Sequence, residues 1–295
     1  MKRLSTATFV TVLTILSTGL ALGEPQLEVV LQSITVEPGI HLEISRVKSA
    51  AEPPHDVWIY RPDPMPMGKV GLVVVPPAGG NMLSAPDLGN GDMPEHLPYV
   101  RAGFVVVSFR MQGELLSEST DLQFAEAIMA FRSGRAGIDD AESALNFAIR
   151  KIDAIDPERI YVAGHSSAAT LALLFAAHDS RVQGVAAFAP VLEVLDFVGS
   201  EMVEALEEFS AGHREFLKWS SPAQHVDKLT SPVFLFHAKD DQVVPYDGAV
   251  AFSEMLRAAG VNLQFQDVAT GNHYDSMINV GIPAAIRWMK KLPNR

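Results

Sequence analysis

The chain has 295 residues, of which 48% are apolar and 20% charged, enough for one large domain with a sizeable core. Thirty-five acidic residues against 23 basic ones leave a net charge of −12 at pH 7, which argues against nucleic acid or an anionic membrane surface as partner, although solubility alone accounts for such a charge. There is no cysteine, so disulfides, a thiol nucleophile and thiolate metal ligation are all excluded.

Residues 1–23 read as a targeting segment. Lys2 and Arg3 precede the apolar run Phe9–Leu16, and Ala21-Leu22-Gly23 supplies the small-x-small pattern of a cleavage site. The run is short and diluted by threonine, too weak for a permanent membrane anchor. An exported protein is expected, with Glu24 to Arg295 as its single mature domain. Export without disulfides fits a bacterial periplasm or exterior.

Past the leader, Leu27–Val36 and His41–Val47 read as strands separated by the turn Glu37-Pro38-Gly39. Val57–Tyr60 is a third. Val70–Val75 and Phe104–Phe109 are continuous apolar runs, as expected of strands covered on both faces, with a helix or irregular segment between them. Ile138–Ile152 has helical spacing and stops before Asp156-Pro157. A strand at Ile160 and a helix over Ala168–Ala177 follow, then a strand over Val185–Ala189 and an insertion from Val191 to Ser221. Strand Val233–Phe236, helix Gly248–Ala259, strand Leu263–Val268 and helix Met277–Met289 complete the chain. Strands alternating with helices after an antiparallel start predict a mostly parallel α/β sheet of about eight strands, covered on both sides, with a small helical insertion after the sixth strand.

Three places carry chemistry. At Gly164-His165-Ser166-Ser167-Ala168 a strand turns sharply into a helix, with Ser166 at the apex and small residues on either side. A serine hydroxyl becomes a useful nucleophile when an imidazole takes its proton and a carboxylate orients that imidazole. After the Val233 strand comes His237-Ala238-Lys239-Asp240-Asp241; after the Leu263 strand comes Gly271-Asn272-His273. Both follow the carboxyl ends of strands, where the sites of parallel sheets lie. His165, His178, His225 and His237 have no metal-ligand spacing, and no dinucleotide or phosphate loop is present, so neither a metal nor a cofactor is expected.

The turn at Ser166, the Ser221-Pro222 to Pro232 stretch, His237–Pro245 and Gly271–His273 together resemble the α/β-hydrolase superfamily, especially its dienelactone-hydrolase-like and prolyl-oligopeptidase-type catalytic domains. The resemblance spans nearly all of Glu24–Arg295. It implies an α/β-hydrolase fold and a triad of Ser166, Asp241 and His273, since the acid is the fifth residue of a His-Gly-x-x-Asp-x-x-Val-Pro pattern. Here Ala238 replaces the glycine, and Asp240 is the adjacent competitor for the acid, read otherwise as a solvated loop carboxylate; the register favours Asp241. It also implies an oxyanion hole from the amides of Ser167 and of Gly80, or failing that Gly79, in Pro76-Pro77-Ala78-Gly79-Gly80-Asn81. Ala78 stands where the family has histidine, which matters little for a main-chain donor.

Within the insertion 191–221, Leu195, Val198, Met202, Leu206 and Phe209 recur at helical spacing among acids such as Glu201, Glu204 and Glu208, with Leu195, Met202 and Phe209 as the substrate-binding candidates. They are candidates for a cap that lines an acyl pocket, or equally for an ordinary amphipathic surface helix. Hydrolysis of small carboxylic esters is the expected activity, with short peptides or amides second. Peptidases of this resemblance usually carry a β-propeller, for which the chain has no room. A non-catalytic binding module on the same fold is a third expectation, against which the joint presence of Ser166, Asp241 and His273 speaks.

Overall fold

The structure is a computed structural model that describes residues 27–48, 54–88, 92–115 and 119–293; the expected leader lies outside the described residues. One nine-stranded sheet organises the chain, in the order β1-β2-β3-β5-β4-β6-β7-β8-β9. β1 (Leu27–Glu37), β2 (Ile40–Lys48) and β3 (His55–Pro62) are antiparallel, and β3 joins β5 (Val105–Phe109) in the same sense. From β5 onward every pairing is parallel, through β4 (Val70–Val74), β6 (Ile155–His165), β7 (Val182–Phe188), β8 (Val233–Ala238) and β9 (Leu263–Val268). This is the α/β-hydrolase architecture. The sheet contains each of the nine strands named from the sequence, one more than the total of about eight given there, so the insertion follows the seventh strand.

Alternation within the strands divides the core into two apolar layers. Leu72, Val74, Val107, Val162, Val185 and Leu235 face α3 (Ile138–Lys151), α4 (Ser167–His178) and α8 (Tyr246–Ala258). Val73, Val106, Tyr161, Phe188 and Phe236 face α1 (Met93–Arg101) and α9 (Ile282–Met289), which a short π-helical turn over Met277–Gly281 precedes. Strands buried on both faces explain why the runs are unbroken by polar residues. At Gly164 a Cβ would lie 2.4 Å from the carbonyl of Ala168, so the end of β6 and the start of α4 meet only because residue 164 has no side chain.

One helix settles an alternative left open by the sequence, and one goes beyond the expected pattern. α1, in the stretch left as helix or irregular, contains Pro98 and has Pro94 in its first turn, which blurs its periodicity. α2 (Asp121–Ser133) begins with a capping box in which the Thr120 hydroxyl accepts the Gln123 amide and the Gln123 side chain accepts the Thr120 amide. The insertion forms α5 (Val194–Val198), α6 (Ser200–Phe209) and α7 (His213–Trp219). Val194, Val203, Leu206 and Leu217 pack with Met82 and Leu83 of the loop after β4, Ile128 of α2 and Val244 of the loop after β8. The insertion therefore sits at the carboxyl end of the parallel strands. Among the described residues no helix is long and apolar enough to cross a membrane.

Candidate active site

Ser166 occupies the turn between β6 and α4 at φ 55°, ψ −121°, a conformation that non-glycine residues rarely adopt. Its amide donates to the Phe188 carbonyl at 2.9 Å, and its carbonyl accepts from Ala169 and Thr170 in the first turn of α4. Neighbouring strand and helix thus hold the strain, and the side chain stands near the positive end of α4.

Asp241 and His273 meet. His273 Nδ1 donates to Asp241 Oδ2 at 2.7 Å, and the carboxylate is fully buried. The other oxygen, Oδ1, accepts the amides of Val243 at 2.8 Å and Val244 at 3.0 Å. Burial pushes the Asp241 carboxyl up, but the His273 bond and these two amides more than offset it, so it is held below the ordinary carboxylate range. With its proton on Nδ1, His273 keeps a lone pair on Nε2.

His237, which the sequence marked as lacking metal-ligand spacing, lines the same carboxylate. Its Nε2 lies 3.0 Å from the Val244 carbonyl and 3.1 Å from Asp241 Oδ2, so Nε2 carries the proton and shares it between two acceptors. Burial lowers its basicity, and the neutral ring stabilises the acid loop without a second charge. His165, the residue before Ser166, donates from Nε2 to the His273 carbonyl at 2.9 Å, and the two rings lie 4.5 Å apart. It ties the Ser166 turn to the His273 loop.

Asp240 is more than a solvated carboxylate. Its Oδ1 accepts the Asn272 amide at 2.9 Å and its Oδ2 the Gly271 amide at 3.1 Å. Two adjacent aspartates thus hold the last loop at different points, Asp240 by its backbone and Asp241 by its histidine. Sequence spacing carried no sign of the first contact.

Behind His165 lies a buried polar layer from α1. Glu95 Oε1 is 3.8 Å from His165 Nδ1, a distance short enough for an ion pair if both groups were charged. They are not. Burial, then the charge of Asp92, pushes Glu95 up to about 8, while burial and then His273 bring His165 down to about 4. At neutral pH the pair is a protonated carboxyl facing a neutral imidazole. Burial also raises Asp92 to about 6 against the opposing bond from the Ala78 amide, and lowers His96 to about 3.

The two expected oxyanion donors are brought together, since the Gly80 amide donates to the Ser167 hydroxyl at 2.9 Å. Gly79, at φ +92°, is exposed and supplies the turn that aims Gly80 inward. The cap candidates do not converge here. Leu195 is half-buried against the insertion's own apolar cluster, whereas Met202 and Phe209 are 43% and 53% exposed. Instead, a cavity of ≈ 30 Å³ opens beside Gly80 and Ser167, walled by Met82, Met111, Phe131, Leu171, Leu174 and Val194. Among the described residues no cluster of three or more acidic or histidine side chains could hold a metal ion.

The sequence matches the prolyl oligopeptidase family over residues 94–291, a stretch that includes Ser166, Asp241 and His273. The chain belongs to the prolyl oligopeptidase family. This is a family of serine hydrolases, and solved structures agree on the fold. The acylaminoacyl peptidase of Pyrococcus horikoshii matches with a TM-score of 0.64 at 13% identity, over 92% of this chain and 49% of that one. Acetyl xylan esterase 1 from Thermoanaerobacterium sp. JW/SL YS485 matches at 0.62 and 15% identity, over 90% and 87%. A protein assigned as a dienelactone hydrolase in Klebsiella pneumoniae subsp. pneumoniae MGH 78578 matches at 0.61 and 15%, over 85% and 99%. The chain spans about half the length of the acylaminoacyl peptidase. Among curated proteins none matches it in sequence.

Proposed function

We propose that this member of the prolyl oligopeptidase family hydrolyses small carboxylic esters, with Ser166 as nucleophile, His273 as general base and acid, and Asp241 as the group that orients His273. The observation that carries the proposal is the 2.7 Å bond from His273 Nδ1 to a buried Asp241, on a loop that His165 ties to the Ser166 turn. His273 Nε2 accepts the Ser166 proton as Oγ attacks the ester carbonyl carbon. The resulting oxyanion accepts from the Ser167 and Gly80 amides, the latter exchanging the Ser167 hydroxyl for the substrate oxygen. Collapse breaks the bond to the alcohol, which leaves with the proton from His273. Water then attacks the acyl-enzyme, giving its proton to His273, and the acid departs as that proton returns to Ser166.

Ester substrates are favoured because the match with the acetyl xylan esterase covers most of both chains. The family match and the acylaminoacyl peptidase favour the second reading, a hydrolase of short peptides or amides. A fluorophosphonate probe followed by peptide mapping tests the chemistry: Ser166 is labelled in folded protein, and absence of label there returns the chain to a binding module. p-Nitrophenyl acetate and butyrate against aminoacyl-naphthylamides decides the bond; higher kcat/KM on the amides reverses the preference. Export belongs to the same proposal. Protein recovered from the periplasm or medium of a bacterial host begins at Glu24, and an intact Met1 would remove it.

A further inference from the structure

The cavity beside Gly80 and Ser167 is built for a guest of one kind. Its mouth holds the two oxyanion candidates, both partly exposed, whereas the six side chains that wall it are buried. Ser167, Leu171 and Leu174 follow one another along one face of α4, so a chain whose carbonyl rests on the Ser167 amide runs directly onto the two leucines. The polar groups in the lining are turned to partners of their own. Thr170 Oγ1 donates to the Val191 carbonyl at 2.8 Å, Ser220 Oγ donates to the Leu217 carbonyl at 3.0 Å, and Ser84 Oγ donates to Asn81 Oδ1 at 3.2 Å. Water inside would lack the two to four partners it needs, so the space suits an apolar group.

Its size limits that group. A cavity of about 150 Å³ admits a benzene ring; this one measures ≈ 30 Å³. Its far wall has little freedom to retreat, because Met111 and Leu171 press on Gly137 so closely that a Cβ there would lie 2.3 Å and 2.8 Å from them. We propose that this cavity is the acyl pocket and that it restricts the substrate to esters of two- and three-carbon acids. The proposal rests on the serine-hydrolase reading of the same site. It moves the acyl pocket from Leu195, Met202 and Phe209 to Met82, Met111, Phe131, Leu171, Leu174 and Val194.

The test is kcat/KM for p-nitrophenyl acetate, propionate, butyrate, hexanoate and octanoate on the full chain, with fluorophosphonate labelling of Ser166 measured in the same preparations. A misfit methylene in an apolar pocket is worth about 10- to 200-fold. The expected profile is a fall of at least about tenfold from propionate to hexanoate. Met111→Ala lengthens the pocket and raises the hexanoate-to-acetate ratio by about tenfold or more, while Val194→Phe fills it and lowers propionate against acetate by a similar factor. The wild-type series stands on its own should either variant fail to fold. Octanoate turned over as fast as acetate by an enzyme labelled at Ser166 overturns the acyl pocket and leaves the hydrolase reading intact, as do folded variants that keep the wild-type ratios. No label and no ester turnover removes both.

Discussion

The two sides of the candidate site are held by different forces. On the acid–base side, named side chains tie the loops after β8 and β9 together and to the end of β6: Asp240 accepts two amides, Asp241 accepts from His273 Nδ1, and His165 donates to the His273 carbonyl. On the oxyanion side, the loop after β4 is closed on itself by Asn81 Oδ1, which accepts the Leu83 and Ser84 amides, and is anchored by packing of Met82 and Leu83 on the insertion; the proposed donors are main-chain amides. Charge is moved on the first side by groups that substitution can delete. On the second it is received by groups that substitution leaves in place. Sensitivity to mutation should therefore be lopsided.

The largest effect tests the first side directly. Asp241→Asn puts an amide where His273 Nδ1 needs an acceptor, and the imidazole loses the tautomer that leaves Nε2 free. A fall in kcat of about 10³- to 10⁴-fold on p-nitrophenyl acetate is expected, with little change in KM. Asp240→Ala comes next. It strands the amides of Gly271 and Asn272, loosening the loop without touching the ring. Loss of two bonds to a carboxylate should cost about 1–3 kcal/mol in urea unfolding, and kcat should fall about ten- to a hundredfold, with Asp240→Asn recovering part of both. Equal losses at Asp240 and Asp241 in activity would erase the distinction between positioning a backbone and orienting a base.

That distinction also marks what could be read from the chain alone. The turn at Ser166 and the pairing of Asp241 with His273 were legible because these side chains sit at strand ends, where residue type and order are informative. The part played by Asp240 was not, since its partners lie 31 and 32 residues away and are backbone groups with no sequence signature. The parallel sheet was legible from its unbroken apolar runs. α2 was passed over although Thr120 and Gln123 spell its cap, and Pro94 and Pro98 left α1 as either helix or irregular chain. The stripe Leu195, Val198, Met202, Leu206, Phe209 does not form one face, for a geometric reason. Gly199, at φ 83°, separates α5 from α6 and resets the helical phase, so Leu195 shares no face with Met202 and Phe209; Val203 and Leu206 take the inward side of α6. The cavity wall draws on several separate segments, which no local pattern displays.

The polar layer behind His165 gives the acid–base side a pH dependence that the packed side lacks. Glu95 titrates at about 8 in the folded chain against an ordinary 4.5, so between those values the native state holds a proton the unfolded chain has released. Its contribution is complete below pH 4.5 and is lost as pH rises through 8. Asp92, at about 6, acts in the same direction. His165, down at about 4 from 6.5, acts oppositely, since stability rises as pH climbs through that interval. Tyr274 is raised by burial, then by Glu95 and Asp92, and stays neutral over this range. Glu95→Gln cannot ionise. Its unfolding free energy in urea should match wild type near pH 5 and exceed it at pH 9, by an amount on the order of a few kcal/mol. A constant offset across that range would mean Glu95 does not titrate in the folded protein.

The smallest effect is expected where the sequence places a second serine beside the first. Ser167→Ala removes a hydroxyl that accepts from Gly80 in the free protein, yet leaves both amides pointing to the same place. If the oxyanion is received by main chain alone, kcat/KM should change by less than about tenfold, and acetate turnover could rise as the Gly80 amide no longer has a competing acceptor. Loss of a true donor would cost about 10²- to 10³-fold. A drop of that size in a folded, fluorophosphonate-reactive variant would mean that the hydroxyl itself turns to donate to the oxyanion. The oxyanion side would then depend on a side chain, as the acid–base side does, and the contrast between them would be one of degree.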